Sequence, residues 1–242
     1  MSPRVLLSIL LALAATVTPA TGAAQPQSQI SAGITRLEIT RVESPTFDGH
    51  SFGNGGQYEK LVGRAFGQVD PSDPRNAVIT DLSLAPRNSS GMVDYVTDIF
   101  ILKPLDPTRS NHRLFFDVNN RGDMRALSSM DNATTGANEP TTAGDGGNGF
   151  LLEQGYTVVS AGWDATVQAG NGRLTITVPV ARNADGTTIA GPALEELVVD
   201  DTTTMTMPLT YAANSADKSQ ANLTVRVRYE DPPTPVRLGV CR

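Results

Sequence analysis

Apolar and polar side chains alternate over Ile34 to Val42 (ITRLEITRV), a period close to two that predicts a half-buried β-strand. Ser44 to Gly56 is rich in turn formers. Tyr58 to Val69 (YEKLVGRAFGQV) reads as a second strand, with Gly63 and Gly67 suited to a bend or bulge. A Pro-punctuated turn, Asp70 to Asn76, and the segment Ala77 to Leu82 lead to Val93–Leu102 (VDYVTDIFIL), a third strand closed by Lys103-Pro104. The first section is therefore expected to be antiparallel and sheet-rich.

The pattern changes at Arg113. Leu114 to Val118 (LFFDV) is a short apolar run, as expected of a strand buried on both faces of a parallel sheet. Asp123 to Gly146 looks too irregular for a packed element. Asn148 then caps a short helix, Gly149 to Gln154, which Gly155 ends, and Tyr156 to Ala161 (YTVVSA) is a second buried strand. Strand, loop, helix and strand predict a right-handed βαβ crossover. Arg173–Pro179 and Leu223–Tyr229 alternate again, like strands with one exposed face.

Composition narrows the class. Among 242 residues, 22 Gly and 16 Pro with only 39% hydrophobic residues favour short elements joined by turns and disfavour a helical bundle. The formal charge of −6, without a basic run, excludes nucleic acid as an expected partner. Arg4, the apolar run Val5 to Val17 and the small residues up to Ala24 have the layout of a signal peptide, too short for the roughly 20 residues needed to span a bilayer. Export to the periplasm or medium is expected, with no membrane contact after cleavage. The single cysteine, Cys241, forms no internal disulfide, and His50 and His112 stand apart without a second ligand nearby. No Asp-x-Asp-x-Asp-Gly calcium spacing occurs, so neither metal nor cofactor is expected.

Several stretches, in order, carry a resemblance. They are Gly55-Gly56-Gln57-Tyr58-Glu59-Lys60-Leu61, Asp73-Pro74-Arg75-Asn76-Ala77 and Leu84-Ala85-Pro86-Arg87-Asn88, followed by Asn119-Asn120-Arg121-Gly122, Gly147-Asn148-Gly149-Phe150-Leu151 and Gly155 through Asp164. Together they resemble the N-terminal part of a bacterial exported family, the alpha/beta-hydrolase domain proteins, over roughly Ile34 to Tyr229. The resemblance implies an α/β fold with β-rich flanks, in which one βαβ unit forms a partial α/β-hydrolase-like sheet beside antiparallel strands. It also implies an ester or related acyl hydrolase in which Asn119, Asn120, Arg121 and Gly122 lie where an oxyanion donor belongs.

The family's serine nucleophile sits on a later strand–helix elbow and its histidine near the C-terminal end. Here the one serine with glycines at both flanking second positions, Ser51 in Gly49-His50-Ser51-Phe52-Gly53, lies in the early turn-rich loop and not on a later elbow, and both histidines precede the βαβ unit. The chain therefore resembles a portion cut short before the nucleophile, inactive alone and prone to self-association, or completed by a missing C-terminal half. Its small-molecule substrate is not specified.

The organisation read from the sequence is a signal peptide (1–24), a β-rich region (25–112), the βαβ unit (113–172), a β-rich insert (173–229) and a Pro-rich tail (230–242). Two readings stand for the Asn119–Gly122 turn: an oxyanion loop, or a polar strand-end turn in which Gly122 supplies positive φ. Trp163 and Asp164 edge a ligand cleft in one reading and pack beside a turn in the other. Asp117 is either a buried partner of Arg121 or a half-exposed strand acid. A non-enzymatic exported β-rich binding module is the alternative to a hydrolase portion.

Overall fold

The computed structural model describes residues 32–236 apart from 137 and 200. The stretch expected to be a signal peptide, the end of the expected Pro-rich tail and Cys241 lie outside the described residues. Six strands form one mixed sheet: β1 (Gly33–Glu43), β2 (Tyr58–Val69), β3 (Val93–Pro104), β4 (Leu114–Asp117), β5 (Thr157–Ala161) and β6 (Ile176–Thr177). Their order is β1-β2-β3-β5-β4, with β6 pairing β3 beyond β5. Pairing is antiparallel except between β4 and β5, which run parallel as a crossover demands. The regions expected as an N-terminal β section and a βαβ unit thus share one sheet.

Two β-bulges shape β1. Register shifts between Ile34 and Arg36 and between Ile39 and Arg41 each insert one residue, Thr35 or Thr40. Each of these threonines donates its hydroxyl to a β2 carbonyl, Phe66 O at 3.1 Å and Val62 O at 3.2 Å. The glycines that sequence suited to a bulge, Gly63 and Gly67, pair with Ile39 and Ile34 beside these shifts. A Cβ on Gly63 would meet Glu38 O at 2.1 Å, so only glycine allows that backbone approach.

One face of the sheet is covered by loops. Phe47 and Phe52 from the first loop, Ala126 from helix α1 (Ala126–Met130), and Leu151 and Leu152 from helix α2 (Phe150–Glu153) pack on Tyr58, Phe100, Leu102 and Val158. Tyr58 is fully buried, and its hydroxyl donates to Leu152 O and Tyr156 O, both at 3.0 Å. Lys60 is equally buried and bridges Glu43 at 2.8 Å while donating to Pro140 O at 2.8 Å. Arg41 grips Glu139 through both carboxylate oxygens, so charges from β1 and β2 anchor the loop before residue 142. The stretch expected to be too irregular to pack is therefore packed. It lacks long helices but holds α1, a 3-10 turn at Ala143–Gly146 and the buried side chains Asp131, Ala133, Asn138 and Asp145.

The expected helix is present but shorter by one residue at each end. Its N-cap is Gly149, in the left-handed region, and not Asn148, whose Oδ1 accepts from Phe150 N–H at 3.2 Å in the turn before it; Gly155, at φ +73°, follows the C-cap Gln154 as expected. The expectation that β4 and β5 are buried on both faces does not hold. β4 is an edge strand, and Leu114 and Phe116 are exposed on the uncovered side; in β5 only Val158 and Ser160 are buried. A continuous apolar run signals strong β propensity but cannot say whether a second layer covers it. The later strands are shorter than their alternation predicts. Arg173–Pro179 yields only β6, and Leu223–Tyr229 only β7 (Leu223–Val225), which pairs with β8 (Thr234–Val236) inside the stretch expected to be a Pro-rich tail. Neither segment has enough neighbouring strand to extend the ladder.

Candidate functional site

The parallel strands β4 and β5 end side by side, which gathers Asn119–Gly122 and Trp163–Asp164 at one place. Asn120 and Asp123 exchange backbone hydrogen bonds at 2.8 and 3.1 Å around a two-residue turn. Its central residues, Arg121 at φ +48° and Gly122 at φ +90°, are both left-handed, the geometry of the tightest hairpin turns. A Cβ on Gly122 would meet Leu174 O and Val167 Cγ1, each at 2.9 Å, so glycine also permits close approach here.

Asn119 is the hub of this turn. It is buried, and its Nδ2 donates to Ala161 O at 2.8 Å and to Ser160 Oγ at 3.2 Å. Its Oδ1 accepts from Gly122 N–H at 2.8 Å, and its carbonyl accepts from Trp163 Nε1 at 2.9 Å. The amide side chain thereby joins the ends of β4 and β5 and closes the turn, while the backbone carbonyl of the same residue orients the indole. The turn's own bonds use the N–H groups of Asn120, Gly122 and Asp123, while that of Arg121 takes no part in them.

Asp164 fixes the outer rim. Its Oδ1 accepts from the Thr166 hydroxyl and N–H at 2.6 and 2.8 Å, and its Oδ2 pairs with Arg121 Nε at 3.0 Å. The Thr166 hydroxyl is the main cause of a carboxyl held below its ordinary range; burial opposes the shift, and the Thr166 N–H and Arg121 add to it. Arg121 also reaches Thr166 Oγ1 at 2.9 Å. The partner of Arg121 is thus Asp164 and not Asp117. Asp117 is buried, not half-exposed, and accepts from Arg125 N–H at 3.1 Å. Trp163 is 53% exposed although its Nε1 is tethered, which leaves an anchored aromatic surface at the end of the turn.

Immediately after the turn, a cavity of about 270 Å³ opens between sheet and loop. Its floor is Phe100, Leu102 and Val158, and its walls include Met124, Leu127 and Ala133. Arg125, Ser128 and Thr135 supply polar atoms. The result is an apolar slot with a polar edge, of a size for a small ligand.

Two buried carboxylates escaped the sequence reading. Asp131 is fully buried, its Oδ1 accepts from Leu151 N–H at 3.0 Å, and its Oδ2 has no hydrogen-bond partner. Burial raises its pKa to about 6 against the pull of the Leu151 and Leu152 N–H groups. For Asp145, burial works in the same direction, but hydrogen bonds from Thr135, Thr141 and Thr142 outweigh it and hold the carboxyl at about 2. Their only sequence signal was position in a Gly- and Thr-rich loop, which does not distinguish a buried anchor from a solvated acid.

Among the described residues no group of three His, Cys, Asp or Glu side chains is placed to hold a metal ion. His50 stacks edge-on against Phe52 with ring centroids 4.7 Å apart, and His112 sits in a loop at φ +58°. The site unites every residue that the sequence singled out at the strand ends, but neither histidine is bonded to a serine hydroxyl through its ring. No family model, curated protein or solved structure matches this chain.

Proposed function

We propose that the chain forms the front of an exported α/β-hydrolase-like protein of the ester or related acyl hydrolase class, providing ligand positioning without the acyl-transfer chemistry. One observation carries this reading. The parallel pair β4–β5 ends in a closed turn at Asn119–Asp123 with Trp163 and Asp164 fixed beside it. Ligands of open α/β sheets collect at the carboxyl ends of strands. The neighbouring apolar slot suits a short acyl chain, and the N–H of Arg121, which takes no part in the turn's own bonds, is the backbone donor left for an ester or carboxylate oxygen. Acyl transfer further requires a nucleophile beside a base, and Ser160, the buried serine nearest the turn, spends its hydroxyl on Asp117 O at 3.1 Å.

The test is an assay of the purified chain with p-nitrophenyl acetate and butyrate. Hydrolysis at the buffer rate is expected, together with binding of butyrate that Trp163→Ala weakens severalfold. Turnover that follows the protein through purification and disappears on a Ser→Ala substitution would overturn the reading. The tethered, half-exposed Trp163 also favours a second reading, a non-enzymatic exported binding module that stacks a flat or sugar-like ligand on the indole. Binding of neutral oligosaccharides, with none of butyrate, would decide for it.

A further inference from the structure

The bulges of β1 have an effect on the second face of the sheet. Ile34, Leu37, Ile39 and Val42 are spaced three, two and three residues apart, and strict alternation would scatter them over both faces. With Thr35 and Thr40 taken up as bulges, they pair with Gly67, Ala65, Gly63 and Leu61, every second residue of β2, and so all four share one face. The charged residues Arg36, Glu38, Arg41 and Glu43 pair with Phe66, Arg64, Val62 and Lys60 and lie on the loop-covered side.

The same face continues across the sheet as one row. Val42 pairs with Leu61, Leu61 with Ile101, Ile101 with Val159 and Val159 with Phe116. Both ends of the row are open, Val42 at 56% and Phe116 at 54% exposure. Leu114 and Val118 extend it along β4, and Leu37 extends it along β1, each more than half exposed. Among the strand residues on this face the charged pair is Glu59 with Lys103, bonded to each other at one end.

We propose that this face is a self-association surface, covered in solution by the same face of a second copy of the chain. The half-exposed side chains leave an apolar patch on the order of 600 Å², at the upper end of what monomers expose and approaching the roughly 800 Å² per partner of a standard stable interface. The patch is most open along its two edge strands, β1 and β4, while Ala65, Thr97 and Ile99 on the same face are buried, and it fits an equally neutral apolar surface. The chain's own face meets that requirement in a two-fold, sheet-on-sheet packing. A charged or strongly polar partner would find here only Glu59 and Lys103, already paired with each other at one end of the face.

Analytical ultracentrifugation of the wild-type chain from low to high micromolar concentration tests the proposal. A monomer–dimer equilibrium is expected, and Leu37→Glu and Phe116→Glu, near opposite edges of the face, should each weaken it by roughly 30-fold or more. Far-UV circular dichroism confirms that each variant keeps its sheet. A wild-type monomer at every concentration would overturn the proposal, as would a folded variant that stays fully dimeric. Hydrogen exchange on the wild type requires no substitution. Exchange over Ile34–Val42 and Leu114–Val118 should slow as concentration rises, and rates independent of concentration would count against the interface.

Discussion

Residues 33–177 and residues 181–236 both contain alternating sequence, yet only the first stretch builds a layered structure. In β2, Tyr58 and Lys60 are fully buried beneath loops. In the later stretch Met205, Met207, Leu209 and Tyr211 alternate just as regularly, and all four are exposed. No described residue from 181 to 236 is buried, and the hairpin β7–β8 stands apart from the main sheet. Alternation makes a strand amphipathic. A ladder partner on each side and a second layer above are what make it stable, and a two-stranded hairpin has neither.

That contrast can be broken or sharpened by experiment. The largest effect is expected in the covered layer: Leu152→Ala, at a fully buried position of the core cluster, should cost about 3 kcal/mol in urea unfolding. A cost below about 1 kcal/mol would mean that the loops do not form a true second layer. Asp131 comes next. Its carboxyl is neutral in the fold up to about pH 6, whereas the unfolded chain ionises near 3.8. The native state therefore binds the extra proton between these values, and stability falls by on the order of 3 kcal/mol as pH rises through that window. Asp131→Asn keeps the oxygen that accepts from Leu151 N–H and should remove this slope, raising Tm at neutral pH. Asp145 acts in a separate window with the opposite sign: its stabilisation is present above the unfolded value and fades as pH falls toward about 2. The smallest effect belongs to the exposed stretch. A chain ending after Val180 loses a marginal backbone bond from Arg182 to Leu84 O, at 3.5 Å, and should unfold within about 1 kcal/mol of the full chain. Brief proteolysis should cut first after Thr187, ahead of any cleavage within β1 to β5.

The limits of what sequence discloses follow the same contrast. The bounds of β2 and the run of β3 were legible because alternation, flanking turns and Pro104 agree with the sheet they join. The crossover from β4 to β5 was legible because Gly155 marks the end of α2, although its start falls at the N-cap Gly149 and not at Asn148. Burial was not, because Leu114 and Phe116 look the same in sequence whether a layer covers them or not. The loop before α2 was misread because its order comes from partners distant along the chain, such as Glu139 on Arg41 and Pro140 on Lys60. At the site, sequence located Asn119 through Gly122 and Trp163-Asp164 as separate strand-end turns. It could not show that Asn119 binds them together through its side-chain amide and its backbone carbonyl, since the bonds span 42 and 44 residues.

The tether between Trp163 and Asn119 makes this turn optically distinct. Trp163 is the chain's sole tryptophan, so its emission arises from the ends of β4 and β5 alone and nowhere else in the sheet. Its wavelength and polarisation reflect whether one indole N–H still holds one carbonyl. Unfolding followed at that colour and by backbone circular dichroism compares a single joint with the whole sheet, and any lag between the two traces measures how tightly the joint is coupled to the rest.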